Sequence, residues 1–307
     1  MTPEPQENVP SRRRTDRHAG TLVLMGGAVE ADGEAMASFV RLCDGQNGGK
    51  IVGITTASSD PARSAHDWLA AFAAAGADNV EIPVIDRRDR AQDRRVAAMI
   101  RSARGIFLGG GDQIQLVSTL GGSRVGHALH DAYVGGAVVG GTSAGAAALT
   151  ETILAGGEPN RYGEMQQLHL GPGFGFLGFR ALIDTHFAQR RRLQRLFMVV
   201  AQNPELMGLG IDEDTALIVQ GPLGEVVGRG SVTFVDGRGV RFDNAEECMR
   251  GNPLTLSYLR VGIVGAGYTF NLRERELELL VQARADGDET EVVRGEGVEE
   301  QPAARTG

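Results

Sequence analysis

The sequence predicts an α/β fold with a mostly parallel central sheet and helices on both of its faces. Short apolar runs alternate with stretches of helical periodicity through the first half of the chain, which is typical of strand–helix–strand units. Several of these runs end in glycine-rich turns, at residues 26–27, 109–111 and 140–141. Because parallel strands need long crossovers, which helices supply, the alternation favours parallel pairing.

The first half of the chain contains five predicted strands and the helices that connect them. Residues 33–43 form a predicted helix because apolar residues recur there every three or four positions. The next helix begins at Pro61 after the capping residue Asp60, since proline suits a first helical turn. A third helix is expected at 94–102. The predicted strands are the apolar runs 21–25, 50–56, 80–85, 106–108 and 137–139.

The second half of the chain continues as α/β and then changes to shorter strands. A strand at 181–183 leads into Asp184 and His186, and a helix follows at 193–202. A strand at 206–211 ends at three successive acidic residues. The remaining extended segments are separated by glycine-containing turns and are expected to pair antiparallel at one edge. They are residues 216–219, 225–228, 231–235 and 259–264.

Residues 20–285 are expected to form a single domain between two disordered polar tails, 1–19 and 286–307. The 307 residues carry a net charge of −8, which argues against nonspecific nucleic-acid binding. No apolar run approaches the roughly 20 residues of a membrane span. The two cysteines, Cys43 and Cys248, have neither a disulfide framework nor a metal-ligand spacing. We therefore expect a cytoplasmic protein without a metal or another cofactor.

The pattern Gly-x-Ser-x-Gly at residues 141–145 lies between an apolar strand and a run of alanines. It is the pattern of a nucleophile elbow, in which a sharp turn between strand and helix raises a serine hydroxyl above the sheet. A glycine-rich connection that only packs closely would have the same pattern. These residues alone leave Ser143 open as a nucleophile or a structural residue, so its partners elsewhere must decide.

A nucleophilic serine needs a base and a third group that orients the base. Of the six histidines, His186 alone directly follows a predicted buried strand, and ligands gather at such strand ends. His186 is therefore the candidate base. The orienting acid is expected in the run Asp212-Glu213-Asp214, but spacing does not decide among the three.

Backbone N–H groups must also stabilise the oxyanion of the intermediate. The candidates are the N–H of Ala144 and an N–H within residues 109–111, where glycine lets the backbone approach the substrate. A phosphate-binding turn is the alternative for these glycines, but the Lys-Ser/Thr ending of a nucleotide loop is missing. The arginines within residues 190–195 suggest a substrate with carboxylates, which guanidinium groups bind in bidentate fashion. A solvated basic helix face is the alternative for them.

Together these motifs resemble the cyanophycinase family of serine exopeptidases over roughly residues 20–280. The ordered set is more specific than any one motif, and consists of Gly110-Gly111-Asp112-Gln113, Gly141-Thr142-Ser143-Ala144-Gly145, Asp184-x-His186-Phe187-x-x-Arg190-x-Arg192-Leu193-x-Arg195 and Gly210-Ile211-Asp212-Glu213. The resemblance implies a fold related to aspartyl dipeptidase and to class I glutamine amidotransferase domains. It also implies hydrolysis of cyanophycin, a polyaspartate backbone with arginine on each side-chain carboxyl, to β-Asp-Arg dipeptides.

The resemblance also implies roles for individual residues. Ser143 would be the nucleophile, His186 the base and Glu213 the orienting acid. Gly111 and Ala144 would donate hydrogen bonds to the oxyanion. One departure concerns the residue before the histidine, where the family usually carries glutamine and this chain has a shorter threonine without an amide. The residues expected to line the substrate pocket are Gln113, Asp184, Thr185, Arg190, Arg192 and Arg195.

Two alternative functions remain open from the sequence. Thr185 leaves room for a peptidase that acts on N-terminal aspartyl dipeptides. The arginines would also suit a non-catalytic protein that binds acidic peptides, although the complete set of triad residues argues against it. The resemblance further implies a homodimer, and we expect neither a nucleic acid nor a membrane as a partner.

Overall fold

The computed structural model describes residues 20–157, 168–248, 252–281 and 292–294. Within these ranges the helices are α1 (Glu34–Leu42), α2 (Pro61–Ala74), α3 (Arg94–Arg101), α4 (Gln113–Leu120), α5 (Arg124–Val134), α6 (Ala144–Ala147), α7 (Leu193–Gln202) and α8 (Ala245–Cys248), with 3₁₀ turns at Gly45–Asn47 and Arg90–Gln92. The strands are β1 (Leu22–Met25), β2 (Ile51–Ile54), β3 (Val80–Glu81), β4 (Gly105–Leu108), β5 (Val138–Thr142), β6 (Thr152–Gly156), β7 (His169–Pro172), β8 (Ala181–Thr185), β9 (Met207–Ile211), β10 (Thr215–Gln220), β11 (Leu223–Gly228), β12 (Ser231–Asp236), β13 (Phe242–Asp243), β14 (Leu256–Ser257), β15 (Arg260–Gly265), β16 (Tyr268–Asn271), β17 (Glu276–Val281) and β18 (Val292–Arg294).

The described strands form two larger sheets and two small two-stranded sheets. The first larger sheet has ten strands in the order β18-β17-β16-β11-β10-β1-β5-β4-β2-β3. The neighbouring strands in the half β1-β5-β4-β2-β3 all pair parallel. In the other half, β10 pairs antiparallel with β1, and the pairs from β10 to β18 are also antiparallel. The second larger sheet has the order β15-β12-β9-β8 and contains the parallel pair of β8 and β9.

The central strand β1 is buried on both faces, which explains its uninterrupted apolar sequence. Leu22 and Leu24 pack in one cluster with α3, α4 and α5, while Val23 and Met25 pack on the opposite side with α1 and α2. Cys43 belongs to the second cluster, and burial raises the pKa of its thiol. The predicted α/β class with helices on both faces of the sheet is confirmed.

Several elements differ from the sequence-based expectation. The strand expected at 80–85 is limited to β3, because Pro83 has no N–H to donate to a neighbouring strand. The helices α4 and α5 are absent from that expectation, although Asp112 and Ser123 each cap a first turn by accepting hydrogen bonds from its backbone N–H groups. The strands expected at 181–183 and 206–211 are β8 and β9, which lie in the second sheet.

The two predicted tails fall largely outside the described residues. All of residues 1–19 and all of residues 286–307 except 292–294 lie outside the described ranges. Within the second tail, Val292–Arg294 form β18 beside β17, in agreement with the strand propensity of two successive valines, and the disorder of the tails stays a prediction. The single domain at 20–285 stays a prediction. In the described part of the chain, no helix has the length and apolar character needed to cross a membrane.

Candidate active site

Ser143 lies on the sharp turn between β5 and α6. Its φ of 51° and ψ of −117° are unusual for a residue with a side chain and mark a strained backbone. Both flanking glycines are required by space. A Cβ atom at Gly141 would lie 2.5 Å from the backbone of Gly145, and one at Gly145 would lie 2.1 Å from the carbonyl oxygen of Leu108. The turn therefore has the backbone features of a nucleophile elbow.

His186 and Glu213 lie beside this serine. His186 directly follows β8, and its Nε2 is 3.0 Å from Oγ of Ser143. Its Nδ1 is 2.6 Å from Oε1 of Glu213, which comes two residues after β9. The histidine side chain is 12% exposed and that of the glutamate 34%. A carboxylate at Nδ1 favours the proton on that nitrogen, which leaves Nε2 able to accept the serine proton.

Of the three acids after β9, one contacts the histidine and the other two accept hydrogen bonds from backbone N–H groups. Asp212 accepts hydrogen bonds from N–H groups in the loop after β8 and at the start of β12. Asp214 accepts a hydrogen bond from an N–H in the loop after β1. Both side chains are buried. Of the three candidates that spacing leaves open, Glu213 is the acid in contact with His186.

The loop between β4 and α4 brings Gly110 close to Ser143 and places Gly111 on the cavity that Ser143 also lines. A Cβ atom at Gly110 would lie 3.3 Å from Cβ of Ser143. Gly111 has a φ of 137°, and a Cβ atom there would lie 2.0 Å from the carbonyl oxygen of Ala57, so only glycine fits. Ala144 is the first residue of α6, where backbone N–H groups have no partner within the helix. Both predicted oxyanion donors therefore belong to segments that border Ser143.

A cavity of about 220 Å³ opens beside Ser143. One of its walls is formed by residues 154–156 of β6, for which the sequence gives no signal. The carbonyl oxygen of Leu154 accepts a hydrogen bond of 2.6 Å from Nε2 of Gln113, so that amide is held against the wall. The predicted site residues that line the cavity are Gly111, Gln113, Ser143, Ala144, Asp184, Thr185, Arg190, Arg192 and Arg195.

Asp184 at the end of β8 forms ion pairs with two of the three cavity arginines. Nη1 of Arg192 is 3.2 Å from Oδ1 of Asp184, and Nε of Arg195 is 2.8 Å from Oδ2. All three side chains are buried, whereas Arg190 is exposed at the cavity. The expectation that the whole arginine group is available to substrate carboxylates is therefore too simple. Three arginines and one aspartate give the cavity wall a net formal charge of +2.

The arrangement as a whole supports acyl transfer. A hydroxyl, an imidazole and a carboxylate are linked by hydrogen bonds, and Gly111 and Ala144 line the same cavity as the serine. Among the residues that the structure describes, no group of three or more histidine, cysteine, aspartate or glutamate side chains is arranged to hold a metal ion.

Comparisons with known proteins agree with this chemistry. The model of peptidase family S51 matches residues 22–226. The cyanophycinase of Synechococcus elongatus is 33% identical over 267 residues, which cover 85% of this chain and 82% of that protein. The cyanophycinase of Trichormus variabilis is 33% identical over 268 residues, with 85% and 89% covered.

A solved structure supports the fold independently. The crystal structure of a peptidase from an acI-B1 Actinobacterium superposes with a TM-score of 0.61 at 22% identity, covering 83% of this chain and 97% of that one. The family match spans most of the chain, and each of the two cyanophycinases aligns with 85% of it. The chain therefore belongs to peptidase family S51 and is a cyanophycinase-like serine exopeptidase.

Proposed function

We propose that this protein hydrolyses the polyaspartate backbone of cyanophycin and releases β-Asp-Arg dipeptides through a Ser-His-Glu triad and an acyl-enzyme. The observation that carries the proposal is the relay from Glu213 through His186 to Ser143, with links of 2.6 and 3.0 Å, at the mouth of a cationic cavity. The relatives named cyanophycinase support the substrate class.

In this mechanism Oγ of Ser143 attacks the scissile carbonyl carbon while Nε2 of His186 takes the hydroxyl proton. Glu213 stabilises the imidazolium that forms. The N–H groups of Ala144 and Gly111 hold the oxyanion of the tetrahedral intermediate. The C–N bond then breaks, and His186 gives its proton to the leaving amine. Water, deprotonated by His186, hydrolyses the resulting ester and regenerates the serine.

The charge of the cavity suits the end of this polymer. A terminal β-Asp-Arg unit with a free main-chain carboxyl carries two carboxylates and one guanidinium, a net charge of −1. The cavity wall has a net formal charge of +2. Because Arg192 and Arg195 are engaged with Asp184, Arg190 is the arginine we assign to a substrate carboxylate.

Thr185 keeps the aspartyl dipeptidase as a second candidate, since it lines the cavity where the family usually carries glutamine. The test is to incubate the protein with cyanophycin and, separately, with a panel of Asp-X dipeptides, and to identify the products by mass spectrometry. We expect β-Asp-Arg from the polymer, and a Thr185→Gln variant that retains this activity. Cleavage of the dipeptides with an untouched polymer would overturn the proposed substrate in favour of the second candidate.

The resemblance to the family also supports a homodimer in the cytoplasm as part of the proposal. Neither feature is needed for the chemistry, because the triad and the cavity wall come from one chain. A non-catalytic peptide-binding protein would leave Ser143 without unusual reactivity, which separates it from both enzyme candidates.

A further inference from the structure

The short segment at the end of β1 contacts all three segments that carry the triad. The carbonyl oxygen of Met25 accepts a hydrogen bond of 3.0 Å from the N–H of Ser143. The carbonyl oxygen of Gly26 accepts one of 2.7 Å from the N–H of His186. The carbonyl oxygen of Gly27 accepts one of 2.9 Å from the N–H of the residue that follows Glu213. Three successive main-chain carbonyl oxygens thus accept hydrogen bonds from three loops that are distant from them in sequence.

The same segment is packed directly against the imidazole. Gly27 has a φ of 103°, and a Cβ atom there would lie 2.3 Å from Cε1 and 2.4 Å from Nε2 of His186. Ordinary contacts between carbon atoms are about 3.5–4.0 Å, so an alanine would force the ring to move by roughly 1 Å. A Cβ atom at Gly26 would lie 1.9 Å from the carbonyl oxygen of Asp212, in the segment that carries Glu213.

The position of β1 in the fold holds this segment in place. The strand lies between β5, which leads to Ser143, and β10, which follows Glu213. Its four side chains are completely buried. The N–H of Gly26 also donates to the carbonyl oxygen of Thr215 at 2.9 Å, so the hydrogen bonding to β10 continues past the end of β1.

We propose that Met25–Gly27 is a positioning element of the active site, which fixes His186 between its serine and its glutamate. Within it, Gly27 acts by the absence of a side chain, because only glycine lets the ring lie against the main chain. This inference rests on the proposed triad. The sequence shows the two glycines only as a turn that closes a strand, since the contacts described here come from residues at least 159 positions away.

The test compares Gly27→Ala with Gly136→Ala. Gly136 has a φ of 98°, close to that of Gly27, but a Cβ atom there would have nothing within 4 Å, so it reproduces the backbone strain without the contact. We expect Gly27→Ala to lower kcat and the rate at which a phosphonofluoridate labels Ser143 by about 100-fold, as a displacement of roughly 1 Å does at other sites. KM should stay unchanged, because the cavity wall does not include Gly27. Gly136→Ala should match the wild type.

If the role of Gly27 were purely structural, Gly27→Ala would have a lower melting temperature, but the folded protein would keep its kcat and labelling rate. Values of kcat and labelling rate equal to those of Gly136→Ala would therefore overturn the inference. If Gly27→Ala fails to fold, the test is the change in melting temperature that the same substitution causes in a His186→Ala background. Removing the ring should rescue the alanine variant, whereas an equal loss in both backgrounds, or a double variant that stays unfolded, would contradict the contact.

These outcomes are separable from those of the proposed function. A wild-type protein that releases no β-Asp-Arg would defeat the substrate proposal but would leave the labelling comparison intact. A wild-type serine that resists the probe would defeat the triad, and the melting-temperature cycle, which needs neither substrate nor probe, would still decide whether Gly27 and His186 are coupled.

Discussion

Replacing Ser143 by alanine is expected to lower kcat for dipeptide release from cyanophycin by about 10⁴- to 10⁶-fold. The substitution removes the oxygen that attacks the carbonyl and leaves the cavity and the oxyanion donors in place. Since a triad acts as a unit, His186→Ala combined with Ser143→Ala should be no slower than Ser143→Ala alone. The measurement is the rate of β-Asp-Arg formation by mass spectrometry with equal amounts of folded enzyme.

Gly136→Ala, prepared in the same way, is the control for this experiment. Its added Cβ atom has no atom within 4 Å, and the residue precedes the start of β5, at the opposite end of the strand from Ser143. Activity of Ser143→Ala within tenfold of the wild type would be incompatible with a serine nucleophile.

Replacing Asp184 by alanine is expected to cost roughly 3–5 kcal/mol of folding free energy. The substitution removes a buried carboxylate that pairs with the buried guanidinium groups of Arg192 and Arg195. Each guanidinium also donates a hydrogen bond to a backbone carbonyl oxygen, which the substitution leaves in place. At about 2–4 °C per kcal/mol for a protein of this size, the melting temperature should fall by roughly 6–20 °C. Thermal unfolding followed by circular dichroism measures the effect.

The matched control is Asp131→Ala, which breaks the ion pair of 2.9 Å with Arg101. Both partners of that pair are about half exposed, so water screens the charges and the expected loss is only about 0–1 kcal/mol. Asp184→Asn keeps the shape and one acceptor oxygen and should lie between the two. Equal melting temperatures for Asp184→Ala and Asp131→Ala would show that the buried pairs are not what holds the cavity wall.

The parts of the fold that sequence could predict are those with a local physical cause. The run 22–25 is apolar at every position because both faces of β1 are covered, and this pattern is visible without coordinates. His186 could be singled out because it follows a buried strand, where side chains point to the ligand-binding edge of a sheet.

The parts that sequence could not predict depend on contacts between distant segments. β8 and β9 have the same apolar character as the central strands, so nothing local indicates that they form a separate sheet. Among the three successive acids, only the path of the turn, with a φ of 46° at Asp214, determines which carboxylate meets the histidine. The pairing of Asp184 with Arg192 and Arg195 is similarly tertiary, since the chain must turn between β8 and α7 to bring them together.

The most direct measurement is covalent labelling of the serine itself. Wild-type protein and the His186→Ala variant are treated with a phosphonofluoridate, and the peptide that contains Ser143 is analysed by mass spectrometry. If Ser143, His186 and Glu213 form a working relay, the wild-type peptide gains one phosphonyl group and the variant peptide stays unmodified over the same period. An unmodified serine in the folded wild type, or equal labelling of both proteins, would contradict the triad.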